Sequence, residues 1–391
     1  MTPTAVAIEP DRFPWYDPRG FTFSLGLCLD RDVWCSGHSG SAHDPRKGRP
    51  DVPDTMTAQA RIAYAKQAAV LTAAGTDLTR VTRVLENVTA AGLEHYAEAE
   101  RVRREVFGTH RPVVVTTVVD RLVRRKALIE IEVHANTREP APNPDDDAPG
   151  PDGIRTAHDG SVLLPTLLPL DDHGEVVAPG DPAGQYAHCL GQAARLLRPL
   201  GLGLADLTCT VDFAAPGVAE DWAHIDRVRA RLLGPIHPAG TRVRAQTLHR
   251  PGVLVCVTAT ASRHPRSAVG RLGLRAALPT YSPGVRSGNL LHISGFGRLA
   301  AGLPDLAAQA RSVYGAILHT MRAAHAGPAY LVSTVEYVAA DALAQYRDVA
   351  TVRRAMLKQP YPVSTGIVCT RMPHPGSLID VSAIAYLPEA V

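Results

Sequence analysis

Apolar positions along this chain change period in a regular way. Ala187, Leu190, Ala194 and Leu197 fall at helical spacing, as do Leu306, Ala310, Val313 and Ile317, which predicts helices with one buried face. A second set of stripes, Trp222, Ile225, Val228 and Leu232, then Leu343, Tyr346, Val349 and Met356, predicts another helix after each. The runs ALIEIEVHA, GVLVCVTATA and SLIDVSAIA are rich in β-branched residues, read as strands and follow a further strand-like run. The stretch YSPGVRSGNLLHISG, Tyr281 to Gly295, places two turn signals ahead of a short apolar strand. It has the look of a domain opening, yet it stands three-quarters of the way along the chain.

Internal repetition explains that position. The segments ERVRREVF, DRVRARLL and ATVRRAML carry a Val-Arg pair at Val102-Arg103, Val228-Arg229 and Val352-Arg353, spaced 126 and then 124 residues apart. The same offsets carry Gln59 to Gln185 and Gln309, Pro112 to Pro238 and Pro362, and Glu86 to Asp212 and Glu336. A chance match in one helix would not transfer to the other segments, so the chain is a triplication. Each copy reads strands, helix, strand, helix, two strands. Module one is expected over 13–135, module two over 154–263 and module three over 279–388. A linker is expected at 136–153, where NTREPAPNPDDDAPGPDG is rich in Pro and Asp, and a vaguer one at 264–278.

Composition narrows the classes. With 45% hydrophobic and 20% charged residues the 391-residue chain is an ordinary globular protein. The net charge of +3, from 41 basic and 38 acidic side chains, has no basic run behind it, so nucleic acid is not an expected partner. No apolar run approaches the ~18 residues of a membrane span, and the opening MTPTAVAIEPDRFPWYDP has no basic segment leading into an apolar core. A cytoplasmic protein is expected. Cys28, Cys35, Cys189, Cys209, Cys256 and Cys369 form no C-x-x-C pair, and the 16 histidines show no ligand spacing, so neither disulfides nor a metal site is predicted, and no cofactor.

Leu278 to Gly295, followed by a Gln-bearing helix, a strand, a second helix and a Pro-opened strand, together with the I-E-I-E close of Ala127 to Ala135, resembles the RidA/YjgF family of imine deaminases. Module two has lost the Ser-Gly of that opening, reading SVLLPT over Ser161 to Thr166. The resemblance implies an α+β fold: three RidA-like (chorismate-mutase-like) modules closing into a single-chain pseudo-trimer, with a central β-barrel-like core and helices outside. Closure of that kind removes exposed strand edges. It also implies ligand clefts between neighbouring modules. The expected assembly is a monomeric pseudo-trimer or a homodimer.

In the family an arginine two residues after the strand-opening proline holds a substrate carboxylate. Here those positions are Val114, Gly240 and Ser364, so the arginine is gone from all three, and Ser364 is kept as a substrate-binding candidate. Strand parity offers Arg242 and Arg244, on the face opposite Val243 and Ala245; the competing reading is that they are solvated or pair with nearby acids. The second glutamate of I-E-I-E is Glu132, matched by Thr258 and Ser382, and is the expected proton-transfer group unless it is a plain surface or paired acid. Tyr281, Ser294 and Gly295 match the family's pocket wall. Ser36, Gly37 and His38 correspond to it in module one, where His38 adds an imidazole expected to titrate near neutral pH. Glu86, Asp212 and Glu336 either converge on the axis or pair with helix arginines; the sequence leaves both open.

The expected function is therefore metal-independent acid-base chemistry of small-molecule, secondary metabolism on a small imine, enamine or carbonyl compound at one specialised cleft. A chorismatase-like hydrolase or lyase acting on an unsaturated carboxylate is the alternative enzyme. A non-catalytic metabolite-binding protein is the alternative from outside enzymology.

Overall fold

The computed structural model describes residues 5–137, 153–157, 159–218, 222–270 and 280–387. Most of the expected linker at 136–153 lies outside them. The repeat offsets hold element by element. The first long helix of each copy is Met56–Ala73, Pro182–Leu197 and Leu306–Ala323, and the second is Tyr96–Phe107, Ala223–Leu232 and Tyr346–Met356. The central strands are Val81–Thr89, Leu207–Ala214 and Leu331–Ala339.

In each copy the central strand pairs antiparallel with the closing strand (Ile129–Asn136, Val255–Ser262, Ile379–Tyr386) and parallel with the Pro-opened strand (Val113–Val119, Ala239–Arg244, Val363–Cys369). The second helix of the copy makes the parallel crossover. Opening strands continue the sheet beyond the closing strand: Gly26–Leu29 and Asp32–Cys35, then Ser161–Leu163, then Gly284–Ser287 and Leu290–Ile293.

Local chemistry explains why the repeats start and stop together. Thr55, Asp181 and Asp305 each cap the first helix, their side chains accepting from Ala58, Gly184 and Ala308 N–H. The repeated glutamine is a clamp inside the module. Gln59 Nε2 donates to the carbonyls of Pro53 and Lys126 while its Oε1 accepts from Leu128 N–H. Gln185 and Gln309 make the same bond to Leu254 and Leu378 N–H, both at 2.7 Å. Each glutamine thus fastens a helix to the loop before the closing strand, which is a reason for it to survive in all three copies.

Two expectations change. The stretch expected as a linker at 264–278 contains the strand Arg266–Val269, which pairs with Gly284–Ser287 and belongs to the third sheet. The β-barrel-like core is not closed by backbone pairing: among the described residues each module keeps its own open sheet, beside one small hairpin. One ladder does cross a boundary, since Arg121–Leu122 of module one pairs with Ile367 and Val368 of module three. The non-helical faces of the three sheets surround a cavity of about 100 Å³ lined from every module, by Glu132, Thr258 and Ser382 among others. The helices lie on the outer faces over apolar cores such as Ile129, Ile131 and Val133 against Ala60, Ala63 and Tyr64. Among the described residues no helix is long and apolar enough to cross a membrane.

Candidate active site

The repeated acids resolve first. Glu86, Asp212 and Glu336 face the helix layer, not the axis, and all are buried. Glu86 accepts from Tyr64 and Tyr96 hydroxyls at 2.6 and 2.5 Å and pairs with Arg103 at 2.5 Å. Asp212 holds Tyr186 at 2.9 Å, Arg229 at 2.8 Å and the Tyr281 hydroxyl. Glu336 holds Tyr314, Tyr346 and, at 3.3 Å, Arg353. The arginines are those of the repeated Val-Arg pair. Each module therefore carries one buried acid-arginine pair roofed by tyrosines, and its work is to satisfy charge inside the fold.

The seams repeat as well. At the seam of modules one and three, Ser36 Oγ donates to its own module's Ser24 carbonyl at 2.6 Å and accepts from Ser364 N–H at 2.9 Å. At the seam of modules three and two, Ser294 Oγ donates to Ser282 carbonyl at 2.6 Å and accepts from Gly240 N–H at 2.8 Å. At the third seam, Thr166 Oγ1 joins the Thr116 backbone at 2.9 and 2.7 Å. Ser36 and Ser294 are thus occupied as pins between modules.

The expected residues of the second and third modules do come together, but on one another. Arg242 pairs with Asp226, and its guanidinium lies 4.8 Å from the Trp222 ring and 5.1 Å from the Tyr281 ring. The Tyr281 hydroxyl goes to Asp212, and Gly295 N–H goes to Gly240 carbonyl and Thr241 Oγ1, both at 3.1 Å. Arg244 ends the same strand, half-buried. Asp380 sits beside them; burial pushes its carboxyl up to about 6 against the amides of Gly297 and Val381. Arg242 and Tyr281 thus meet at one seam, where Arg242 is a paired cation.

Glu132 lies on the axial side. Its carboxylate accepts from Thr365 Oγ1 at 2.5 Å and stands 3.0 Å from His134 Nε2, lining the central cavity. Burial acts to raise its pKa, but His134, Thr365 and the Arg83 guanidinium hold it below the usual carboxylate value. The carboxylate that reaches an open seam is Glu130, two residues earlier on the same strand.

Glu130 lines a cavity of about 410 Å³ between modules one and three, with Tyr16, His38, Lys66, Arg124 and Ser364. It is 7% exposed. Burial and the neighbouring Glu132 push its carboxyl up to about 8, against the opposing pull of Lys66, the Gly366 amide and Arg124. Lys66 is pushed the other way, to about 7, chiefly by burial. His38 receives Tyr16 at 3.2 Å on Nδ1, and its Nε2 has no hydrogen-bond partner among the described residues. Burial, with Lys66 nearby, pushes it down to about 3, so it is a neutral imidazole and does not titrate near neutral pH as expected. Ser364 lines this cavity, where a serine cannot supply the charge of the family's arginine.

Gly37 sets the floor. A Cβ there would meet Glu130 Oε1 and Thr365 Oγ1, each at 2.7 Å. Both are side-chain ends that can move, so Gly37→Ala should fold but displace the carboxylate, costing on the order of 10²-fold in kcat/KM with little change in melting temperature. Turnover unchanged in Gly37→Ala would show that the carboxylate position does not matter. Among the described residues no cluster of three His, Cys, Asp or Glu is arranged to hold a metal.

Fold and cleft together define an α+β repeat protein with an acid-bearing cavity at a module seam. The family model described as endoribonuclease L-PSP matches residues 20–137 and 274–387, more than half of the chain, and the chain belongs to that family, the RidA/YjgF proteins. Solved structures of similar proteins each cover 34% of this chain. They include Escherichia coli TdcF with bound serine (25% identity, 98% of that chain, TM-score 0.29), the YjgF gene product of E. coli (24%, 99%, 0.29) and the Rid-family protein YyfA of Yersinia pestis (25%, 98%, 0.29). No curated protein matches the sequence.

Proposed function

We propose that the chain is a single-chain pseudo-trimer that hydrolyses a small imine or enamine at one cleft, the seam of modules one and three. The observation that carries this reading is Glu130: a buried carboxyl, pushed up to about 8 chiefly by burial, that faces a cavity of substrate size. As acid it protonates the imine nitrogen; as carboxylate it then takes a proton from the attacking water, and the amine leaves. Neutral His38 offers its unpartnered Nε2 to hold that water. Arg124, exposed at the mouth, supplies the positive charge that the family places on its lost arginine.

The asymmetry of the copies supports a single working cleft. The positions equivalent to Glu130 are Cys256 and Asp380, and the Ser36-Gly37-His38 run becomes Ser294-Gly295-Phe296 in module three. A fused chain can specialise one seam in this way, whereas a homotrimer changes all three at once.

The test supplies 2-imino acids generated in place by an amino-acid oxidase and follows release of the oxo acid. The protein should accelerate release, with the rate falling as pH rises through about 8, where Glu130 loses its proton. The loss of the arginine at Val114, Gly240 and Ser364 favours a second reading, a metabolite-binding protein without turnover. Thermal stabilisation by oxo acids with no acceleration of any imine, and no pyruvate release from chorismate, would select it.

A further inference from the structure

We infer that Lys66 is an amine nucleophile that takes over the substrate carbon as a covalent iminium before water releases the product. The inference rests on the seam cleft being the imine-hydrolysing site, and it adds a covalent step to that reading.

Lys47, Lys66, Lys126 and Lys358 are the only lysines in the sequence, against 41 basic side chains in all, and three of them are exposed. Lys66 is 1% exposed, on the first helix of module one, and lines the cavity that holds Glu130. Its Nζ donates to the carbonyls of Ser39 at 2.8 Å and Ser41 at 2.5 Å. Among the described residues no carboxylate lies within ion-pair distance of it, and the charges that act on it are those of Glu130 and Arg124. A buried ammonium without a counter-ion is costly. A neutral amine has two N–H groups, which match the two carbonyls, and a lone pair left over. The direction of its titration agrees, burial moving Lys66 down to about 7. The equivalent positions by offset are Gln192 and Ala316, so the amine occurs only where Glu130 and His38 also occur.

The step balances without an oxidant or reductant. The Lys66 lone pair forms a bond to the imine carbon, giving a geminal diamine. The Glu130 carboxyl protonates the substrate nitrogen, that C–N bond breaks, and ammonia or the amine departs, leaving a Lys66 iminium and a Glu130 carboxylate. The carboxylate takes a proton from water as its hydroxide adds to the iminium carbon. The carbinolamine's hydroxyl proton then passes to the Lys66 nitrogen, the second C–N bond breaks, and the carbonyl product and free amine are restored.

Reductive trapping tests it. The full-length protein is incubated with glyoxylate, pyruvate or phenylpyruvate and sodium cyanoborohydride at pH 7.5, and adducts are mapped by peptide mass. Lys66 should be modified on the order of 100-fold faster than the exposed lysines, since each pKa unit is worth tenfold in free amine. Lys66→Met should abolish the fast adduct, and Glu130→Gln, which removes the acid that releases water as the iminium forms, should slow it and lower turnover together. Wild-type protein that hydrolyses imines with Lys66 modified no faster than Lys47, Lys126 and Lys358 would overturn the covalent step and leave the cleft reading intact. Fast modification of Lys66 without hydrolysis of any imine would instead overturn the reading of the cleft, and the catalytic role of Lys66 with it.

Discussion

Glu130→Gln should lower imine turnover by about 10²–10⁴-fold, the range for removal of a general acid-base group, while Glu132→Gln should stay within a few-fold of wild type. The two residues sit on one strand, in one I-E-I-E run, but they face different spaces. Glu130 is in the seam cavity; Glu132 is held by Thr365 and His134 over the axial one. The substitution also has a stability signature that separates it from misfolding. A carboxyl raised to about 8 in the folded state keeps a proton that the unfolded chain gives up near 4.5. Its contribution is present below the unfolded value and is lost as pH rises through the folded one. Gln cannot ionise, so Glu130→Gln should gain stability relative to wild type as pH is taken from about 5 to 8, on the order of a few kcal/mol at about 1.4 kcal/mol per pKa unit. Denaturant titrations across that range measure it. An inactive variant that is also less stable at every pH would speak for a structural role, and full activity in Glu130→Gln together with loss in Glu132→Gln would move the chemistry to the axis.

The I-E-I-E resemblance points to Glu132, and strand geometry does not distinguish it from Glu130. Successive side chains of a strand alternate, so residues two apart share a face; Glu130 and Glu132 both leave the helix-covered side, where Ile129, Ile131 and Val133 lie. Parity cannot separate them. What does is their level along the strand relative to the neighbouring module, set by contacts from residues more than 200 positions away, such as Thr365. Gly37 carries a signal in the sequence: a glycine between Ser36 and His38 leaves room for the Glu130 carboxylate to approach the backbone. The repeat itself was legible to the residue, because helix caps, the Gln59 clamp and the Glu86-Arg103 pair are local demands that each copy must meet. Lys66 was not legible as chemistry, since on a helical wheel it is one more polar position. Its burial comes from Tyr16 and the Ser39 to Ser41 loop closing over it.

Arg229→Met should cost about 3–5 kcal/mol of stability, as expected when one partner of a buried ion pair is removed. Arg229 is fully buried. It pairs with Asp212 at 2.8 Å, donates to the Tyr186 hydroxyl and to Thr210 Oγ1, and reaches the Thr280 carbonyl at 3.0 Å. Its guanidinium also lies 3.8 Å from the centre of the Tyr281 ring. Thr280 and Tyr281 open module three, so this one cation ties the core of module two to the start of its neighbour, a link that Arg103 and Arg353 do not make in the bonds they form within their own modules. Without it, Asp212 keeps only hydroxyl donors in a space closed to water. The double variant Arg229→Met with Asp212→Leu should recover much of the loss, because the stranded carboxylate is then gone. Denaturation of the two variants measures the first effect. Hydrogen exchange locates the second: protection should fall along Ala239–Arg244 and Gly284–Ile293, on both sides of the seam, more than along Val81–Thr89. A loss confined to module two would mean that the Thr280 contact carries no load, and that the modules are held together by their serine pins and apolar packing alone.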